Sequence, residues 1–133
     1  MNGGTEDSDL ATKVLLIDDD GDILEILGEL LRHEGFEVHA CDGVEPGLAL
    51  METMRPDAVI LDLVYQGSGT IGLDAARTIK LRHPALPLIV LSAVAREYAL
   101  GFGRDELAAD AYVVKPPRIS SLVELIRRKT GSG

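Results

Sequence analysis

The sequence predicts an α/β fold: a doubly wound parallel sheet of five strands flanked by five helices. Three observations predict it. Five short apolar runs each precede a segment whose apolar residues recur with helical period. The 133 residues, 46% of them hydrophobic and 26% charged, suit one domain with one sheet and its covering helices. Polar side chains able to do chemistry follow the apolar runs, at the sheet edge where α/β folds bind ligands.

Val14-Leu15-Leu16-Ile17 is the pattern of a strand buried on both faces. Ile23, Ile26, Leu27, Leu30 and Leu31 then fall on one helix face, and Gly35 ends that helix. Phe36-Glu37-Val38-His39-Ala40 alternates in polarity, which suits an edge strand. Leu48, Leu50, Met51 and Met54 mark a second helix, closed at Arg55-Pro56. Ala58-Val59-Ile60-Leu61 is a third strand. Leu73, Ala76, Ile79 and Lys80 mark a third helix that stops at His83-Pro84. Leu88-Ile89-Val90-Leu91 is the fourth strand, and a helix is expected within Ala95–Leu107, weakened by Gly101 and Gly103. Ala111-Tyr112-Val113-Val114 is the fifth strand, and Leu122, Val123, Leu125 and Ile126 belong to a last helix. Strands alternating with helices give parallel pairing through right-handed crossovers.

Residues 1–11 are polar and Gly-rich and are expected to form a disordered tail; 12–130 form the domain, and 131–133 a flexible end. The single cysteine, Cys41, excludes an internal disulfide and is too few for a structural zinc site; it is read as a small core residue. No apolar run is long enough to span a membrane and no signal-peptide pattern opens the chain, so a cytoplasmic location is expected. With 13 Lys+Arg against 22 Asp+Glu the net charge is −9, which argues against direct nucleic-acid binding. Arg127-Arg128-Lys129 is read as cations at a helix C-terminus.

Asp18-Asp19-Asp20 follow the first strand, Asp62 the third, Ser92 the fourth and Lys115 the fifth. Singly, such residues cap helices or meet solvent. Together they converge on one edge. Converging carboxylates repel one another unless a cation intervenes, and hard oxygen ligands suit Mg²⁺. A carboxylate can attack phosphorus, and an ammonium and a hydroxyl can hold phosphoryl oxygens.

Leu15-Leu16-Ile17-Asp18-Asp19-Asp20, Ile60-Leu61-Asp62-Leu63, Leu86-Pro87-Leu88-Ile89-Val90-Leu91-Ser92-Ala93 and Ala111-Tyr112-Val113-Val114-Lys115-Pro116 resemble the receiver domain of two-component response regulators. The resemblance runs from about Lys13 to Lys129. It implies the strand order 2-1-3-4-5. It implies that Asp62 accepts a phosphoryl group from the phosphohistidine of a sensor histidine kinase or phosphotransfer protein. Mg²⁺ would be held by Asp19, Asp62 and the backbone carbonyl of Val64, with Asp18 acting through water. Ser92 and Lys115 would bind phosphoryl oxygens. Ser92 and Tyr112 would switch a surface around Ala95–Leu107, the fifth strand and the last helix for a downstream protein target. The Lys115–Pro116 peptide resembles one that is often cis in the family. The protein would be a monomer or a phosphorylation-dependent dimer, either a stand-alone receiver or one domain of a longer chain. It would catalyse only its own phosphorylation and dephosphorylation.

The sequence departs from the family between the acceptor and the third helix. Asp62-Leu63-Val64-Tyr65-Gln66-Gly67-Ser68-Gly69-Thr70-Ile71-Gly72 lacks the usual Pro and is about two residues longer. Its G-x-G-x-x-G run is read as loop, because no acidic residue follows at the distance a dinucleotide site needs. The altered 64–72 loop leaves open a receiver-like interaction module with impaired phosphorylation. Asp18-Asp19-Asp20-Gly21 also resembles the opening motif of haloacid-dehalogenase-type phosphatases, whose nucleophile would be Asp18. Those enzymes need further acids after the Lys, and only Glu124 follows Lys115.

Overall fold

The computed structural model describes residues 11–63, 71–92, 109–114 and 117–131. The strands are β1 (Lys13–Ile17), β2 (Glu37–Cys41), β3 (Ala58–Leu63), β4 (Leu88–Ser92) and β5 (Ala111–Val114). The helices are α1 (Gly21–His33), α2 (Val44–Met54), α3 (Ile71–Arg82) and α4 (Ile119–Thr130). The strands form one sheet in the order β2-β1-β3-β4-β5, and every neighbouring pair is parallel. This is the expected topology. The helix expected within Ala95–Leu107 and residues 1–10 of the tail expected over 1–11 lie outside the described residues.

The central strands are apolar on both faces because helices cover both. Val14, Leu16, Ile60, Ile89 and Leu91 pack with Leu27 and Leu31 of α1 and with Leu122, Val123 and Ile126 of α4. Leu15, Ile17, Val59, Leu61 and Val90 point the other way, onto Met51 of α2 and Ala75, Ala76 and Ile79 of α3. Each fully buried Leu, Ile or Val side chain contributes about 1.5–3 kcal/mol relative to an exposed one. Strand alternation thus divides one sheet between two cores.

Two expectations need correction. Ile23, Ile26, Leu27, Leu30 and Leu31 were expected to form the buried face of α1. The helix instead buries Leu27, Gly28 and Leu31, while Ile26 and Leu30 stand 61% and 41% exposed. The apolar stripe is wider than the part of the helix that the sheet covers. The second correction concerns strand ends. β3 continues through Leu63 and β4 through Ser92, so Asp62 and Ser92 lie within their strands rather than beyond them. Ladder pairing of Asp62 with Leu91 and of Leu63 with Ser92 extends them past the apolar runs.

Chain reversals are stabilised locally. Gly35 adopts φ 103°, which a side chain would strain, and lies two residues past the end of α1, after the C-cap Glu34. The Arg127 guanidinium donates to the carbonyl of Glu34 at 2.9 Å and lies 5.4 Å from the Phe36 ring centroid. It therefore ties α4 to the end of α1. Among the described residues no helix is long and apolar enough to cross a membrane.

Candidate functional site

β1 and β3 are neighbours, with Ile17 in register with Leu61. The residues that follow each pair are Asp18 and Asp62, so parallel pairing brings two carboxylates side by side. One carboxylate oxygen from each of Asp18, Asp19 and Asp62 lies within 4.8 Å of the others. Asp18 is 2% exposed and Asp62 8% exposed, while Asp19 faces solvent. Buried carboxylates this close carry a large desolvation and repulsion cost unless a cation or proton offsets it.

The three consecutive acids differ in what holds them. The backbone N–H of Asp18 donates to the carbonyl of Cys41 at 3.1 Å, fixing the end of β1 to the end of β2. Asp18 Oδ1 accepts from the N–H of Asp20 at 2.9 Å, which turns the chain upward at the sheet edge. Asp20 caps α1: its Oδ1 accepts from the N–H groups of Asp22 at 3.0 Å and Ile23 at 3.3 Å. Asp20 therefore takes no part in the cluster. Its capping role was legible as Asp three residues before the first apolar residue of an amphipathic run.

The donor set is oxygen only, partly buried and partly open to solvent. That composition fits a hard divalent cation that keeps some of its waters, as Mg²⁺ does. The site is consistent with Mg²⁺ binding through Asp18, Asp19 and Asp62.

The structure places the other expected residues as follows. Ser92 is the last residue of β4, opposite Val114 of β5, and Tyr112 lies in β5 opposite Val90. Both strands run to the edge that carries the acids. Lys115 follows Val114 directly in sequence; Lys115, Pro116 and Val64 lie outside the described residues. Cys41 sits at the end of β2, where burial, with a smaller contribution from the Asp42 charge, pushes its thiol pKa up. A raised thiol is mostly protonated near neutrality, in keeping with a packing residue rather than a nucleophile. Sequence reasoning missed an apolar groove of about 400 Å³ between α1 and the start of α4, lined by Ile23, Ile26, Leu30, Leu91 and Pro117. Its signal was the surplus width of the α1 stripe.

Comparison with known proteins bears on the same edge. The family model for the response regulator receiver domain matches residues 14–127. A crystal structure of a receiver domain protein from Clostridium thermocellum superposes with a TM-score of 0.78 at 27% identity, covering 91% of this chain and 95% of that one. The transcriptional regulatory protein PdtaR of Mycobacterium tuberculosis is 38% identical over 130 residues, covering 95% of this chain and 61% of PdtaR. The NtrX-like response regulator of Rickettsia bellii is 34% identical over 122 residues, covering 86% of this chain and 24% of that protein. The chain belongs to the response regulator receiver domain family. Its acidic cluster matches the Mg²⁺ and phosphoaspartate site of receivers, which phosphorylate and dephosphorylate themselves rather than turning over an external substrate. It spans less than two thirds of the length of these two relatives.

Proposed function

We propose that Asp62 is the phosphoacceptor of a two-component relay, receiving its phosphoryl group from the phosphohistidine of a sensor kinase or phosphotransfer protein. The observation that carries this reading is the approach of Asp18 and Asp19 at the end of β1 to Asp62 on β3 within 4.8 Å. A carboxylate oxygen of Asp62 forms a bond to phosphorus as the phosphorus–nitrogen bond breaks. The imidazole leaves with the electron pair and takes a proton, and Asp62 becomes an acyl phosphate. Asp19, Asp62 and the Val64 carbonyl would hold Mg²⁺ directly and Asp18 through water; the cation would neutralise phosphoryl charge. Lys115 and Ser92 bind phosphoryl oxygens in this reading. The change passes along β4 and β5 through Ser92 and Tyr112 to a protein target.

The family match and the described elements support a receiver spanning 12–130. A cytoplasmic site of action is the compartment in which a sensor kinase would meet it. The output of the whole protein follows from whatever surface or segment reads the phosphorylated state.

The test is incubation with acetyl phosphate and Mg²⁺, followed by intact mass. One phosphoryl adduct is expected, and it is lost in Asp62→Asn. An adduct that persists in Asp62→Asn, or one that requires Asp18 as its nucleophile, overturns the assignment. No adduct on the parent chain favours the interaction module instead.

A further inference from the structure

Two aspartates outside the acidic cluster stand in equivalent places. Asp57 immediately precedes β3, and Asp110 immediately precedes β5. Each clamps its strand to the neighbouring strand by the same pair of bonds. The N–H of Asp57 donates to the Lys13 carbonyl at 2.7 Å, and Asp57 Oδ2 accepts from the Lys13 N–H at 2.8 Å. The N–H of Asp110 donates to the Leu88 carbonyl at 2.8 Å, and Asp110 Oδ2 accepts from the Leu88 N–H at 2.7 Å. Lys13 and Leu88 are the first residues of β1 and β4. In both clamps a carboxylate takes the place of a backbone carbonyl as acceptor for the first N–H of the neighbouring strand.

The clamps also stand at one distance from the chemistry. Asp57 and Asp62 are five positions apart (62 − 57 = 5), as are Asp110 and Lys115 (115 − 110 = 5). The geometry points to Asp57 and Asp110 as positioning residues, each setting the register of the strand that carries a phosphorylation group at its far end. This inference rests on the roles given above to Asp62 and Lys115.

The physical need is clearest for β5. It has four residues and is the last strand of the sheet, paired to β4 alone. Four residue pairs to one neighbour are all that fix its register, and a slip of one residue turns every side chain to the opposite face and moves the strand end by about 3.3 Å. The β5 clamp is reinforced. Lys80 Nζ of α3 donates to Asp110 Oδ2 at 3.0 Å and to the Leu86 carbonyl at 3.0 Å, with Lys80 18% exposed. For β3 the clamp holds Asp62 level with the end of β1, which the cluster geometry requires.

The two clamps predict different losses, and a merely structural role does not. Mg²⁺ affinity by calorimetry reads the β1–β3 clamp, because its ligands lie on those strands. The phosphorylation rate constant at saturating acetyl phosphate and Mg²⁺ reads both. Losing a group that positions metal ligands typically costs about 10–100-fold in metal affinity, so Asp57→Ala is expected to weaken Mg²⁺ binding about tenfold; in rate, a misplacement of about 1 Å can cost about a hundredfold. Asp110→Ala is expected to leave Mg²⁺ affinity within about twofold and to slow phosphorylation about tenfold, on the same positional argument. Asn at either position keeps an acceptor for the backbone N–H and is expected to restore most of the loss. Lys80→Met, which weakens only the β5 clamp, should slow phosphorylation without moving Mg²⁺ affinity, so a poorly folding Asp110→Ala leaves the test intact. Parallel losses of both readouts in all variants, or no loss in any, overturn the proposal. Lys115→Met is the control: if it slows phosphorylation while Asp110→Ala and Lys80→Met do not, the positioning role fails and the Lys115 role stands. If Lys115→Met has no effect, the Lys115 role fails and the β5 half of the inference with it.

Discussion

Asp18, Asp19 and Asp20 are the same residue three times in succession, and their surroundings separate them. Asp18 is buried and spends one oxygen on the N–H of Asp20. Asp19 stays in solvent yet shares the cluster with Asp62. Asp20 faces the helix and satisfies two of the N–H groups that the first turn of α1 leaves open. The capping role predicts a particular tolerance at Asp20. Asp20→Ala should destabilise the fold by about 1 kcal/mol in a denaturant titration, while Asp20→Ser should cost a few tenths at most, on the ranking of N-cap residues. Equal losses in both variants would show that Asp20 acts through its charge rather than its cap. A run of three acids suggests a metal site, but only the fold tells which two of them come within reach of Asp62.

At the scale of elements, the height of the acidic edge depends on how closely α2 approaches β1. Gly47 lies in the first half of α2, above Ile17, the last residue of β1. A methyl group at Gly47 would come within 2.5 Å of Ile17 Cδ1 and 2.9 Å of its Cγ1. Ile17 is 2% exposed and belongs to the core between the sheet, α2 and α3, so it has little room to yield. Helix propensity favours Ala over Gly by about 1 kcal/mol, whereas overpacking a filled core costs about 1–3 kcal/mol. The second effect wins here. Gly47→Ala should lower the melting temperature, and adding Ile17→Val, which removes Cδ1, should recover part of the loss. A melting temperature unchanged or raised in Gly47→Ala alone would refute the close approach. Neither residue is polar, and no sequence motif pairs them; the constraint exists only because α2 and β1 meet.

The whole molecule carries a net charge of −9, and part of that excess is concentrated where three carboxylates meet at one edge of the sheet. Folding must bring those charges together, so a cation that binds only the folded state stabilises it by mass action. At about a hundredfold excess over its dissociation constant the gain is about 2.7 kcal/mol. Mg²⁺ should therefore raise the melting temperature by several degrees more than NaCl does at matched ionic strength. The specific part of that rise should vanish in Asp19→Asn. A rise that NaCl reproduces in full would reduce the effect to general screening of a highly charged chain.

The sequence by itself determined the class of fold and the three acids that meet at one edge of the sheet. Apolar run, helical period and polar strand end are local patterns, set by how neighbouring residues repeat: Val14–Ile17 followed by Asp18 and Asp19 displays the first and the last, and Ile23–Leu31 the second. Sheet order also followed once those patterns matched a receiver. The tertiary structure alone decided which side of the α1 stripe is buried, leaving Ile26 exposed, because the width of the sheet and not the periodicity of the helix sets that limit. It alone paired Lys80 with Asp110, 30 positions away, and Arg127 with Glu34, 93 positions away. It alone gave Asp57 and Asp110 the same task. Those contacts depend on which strands become neighbours and in what register, and hydrogen bonding between strands, rather than the local order of residues, settles that.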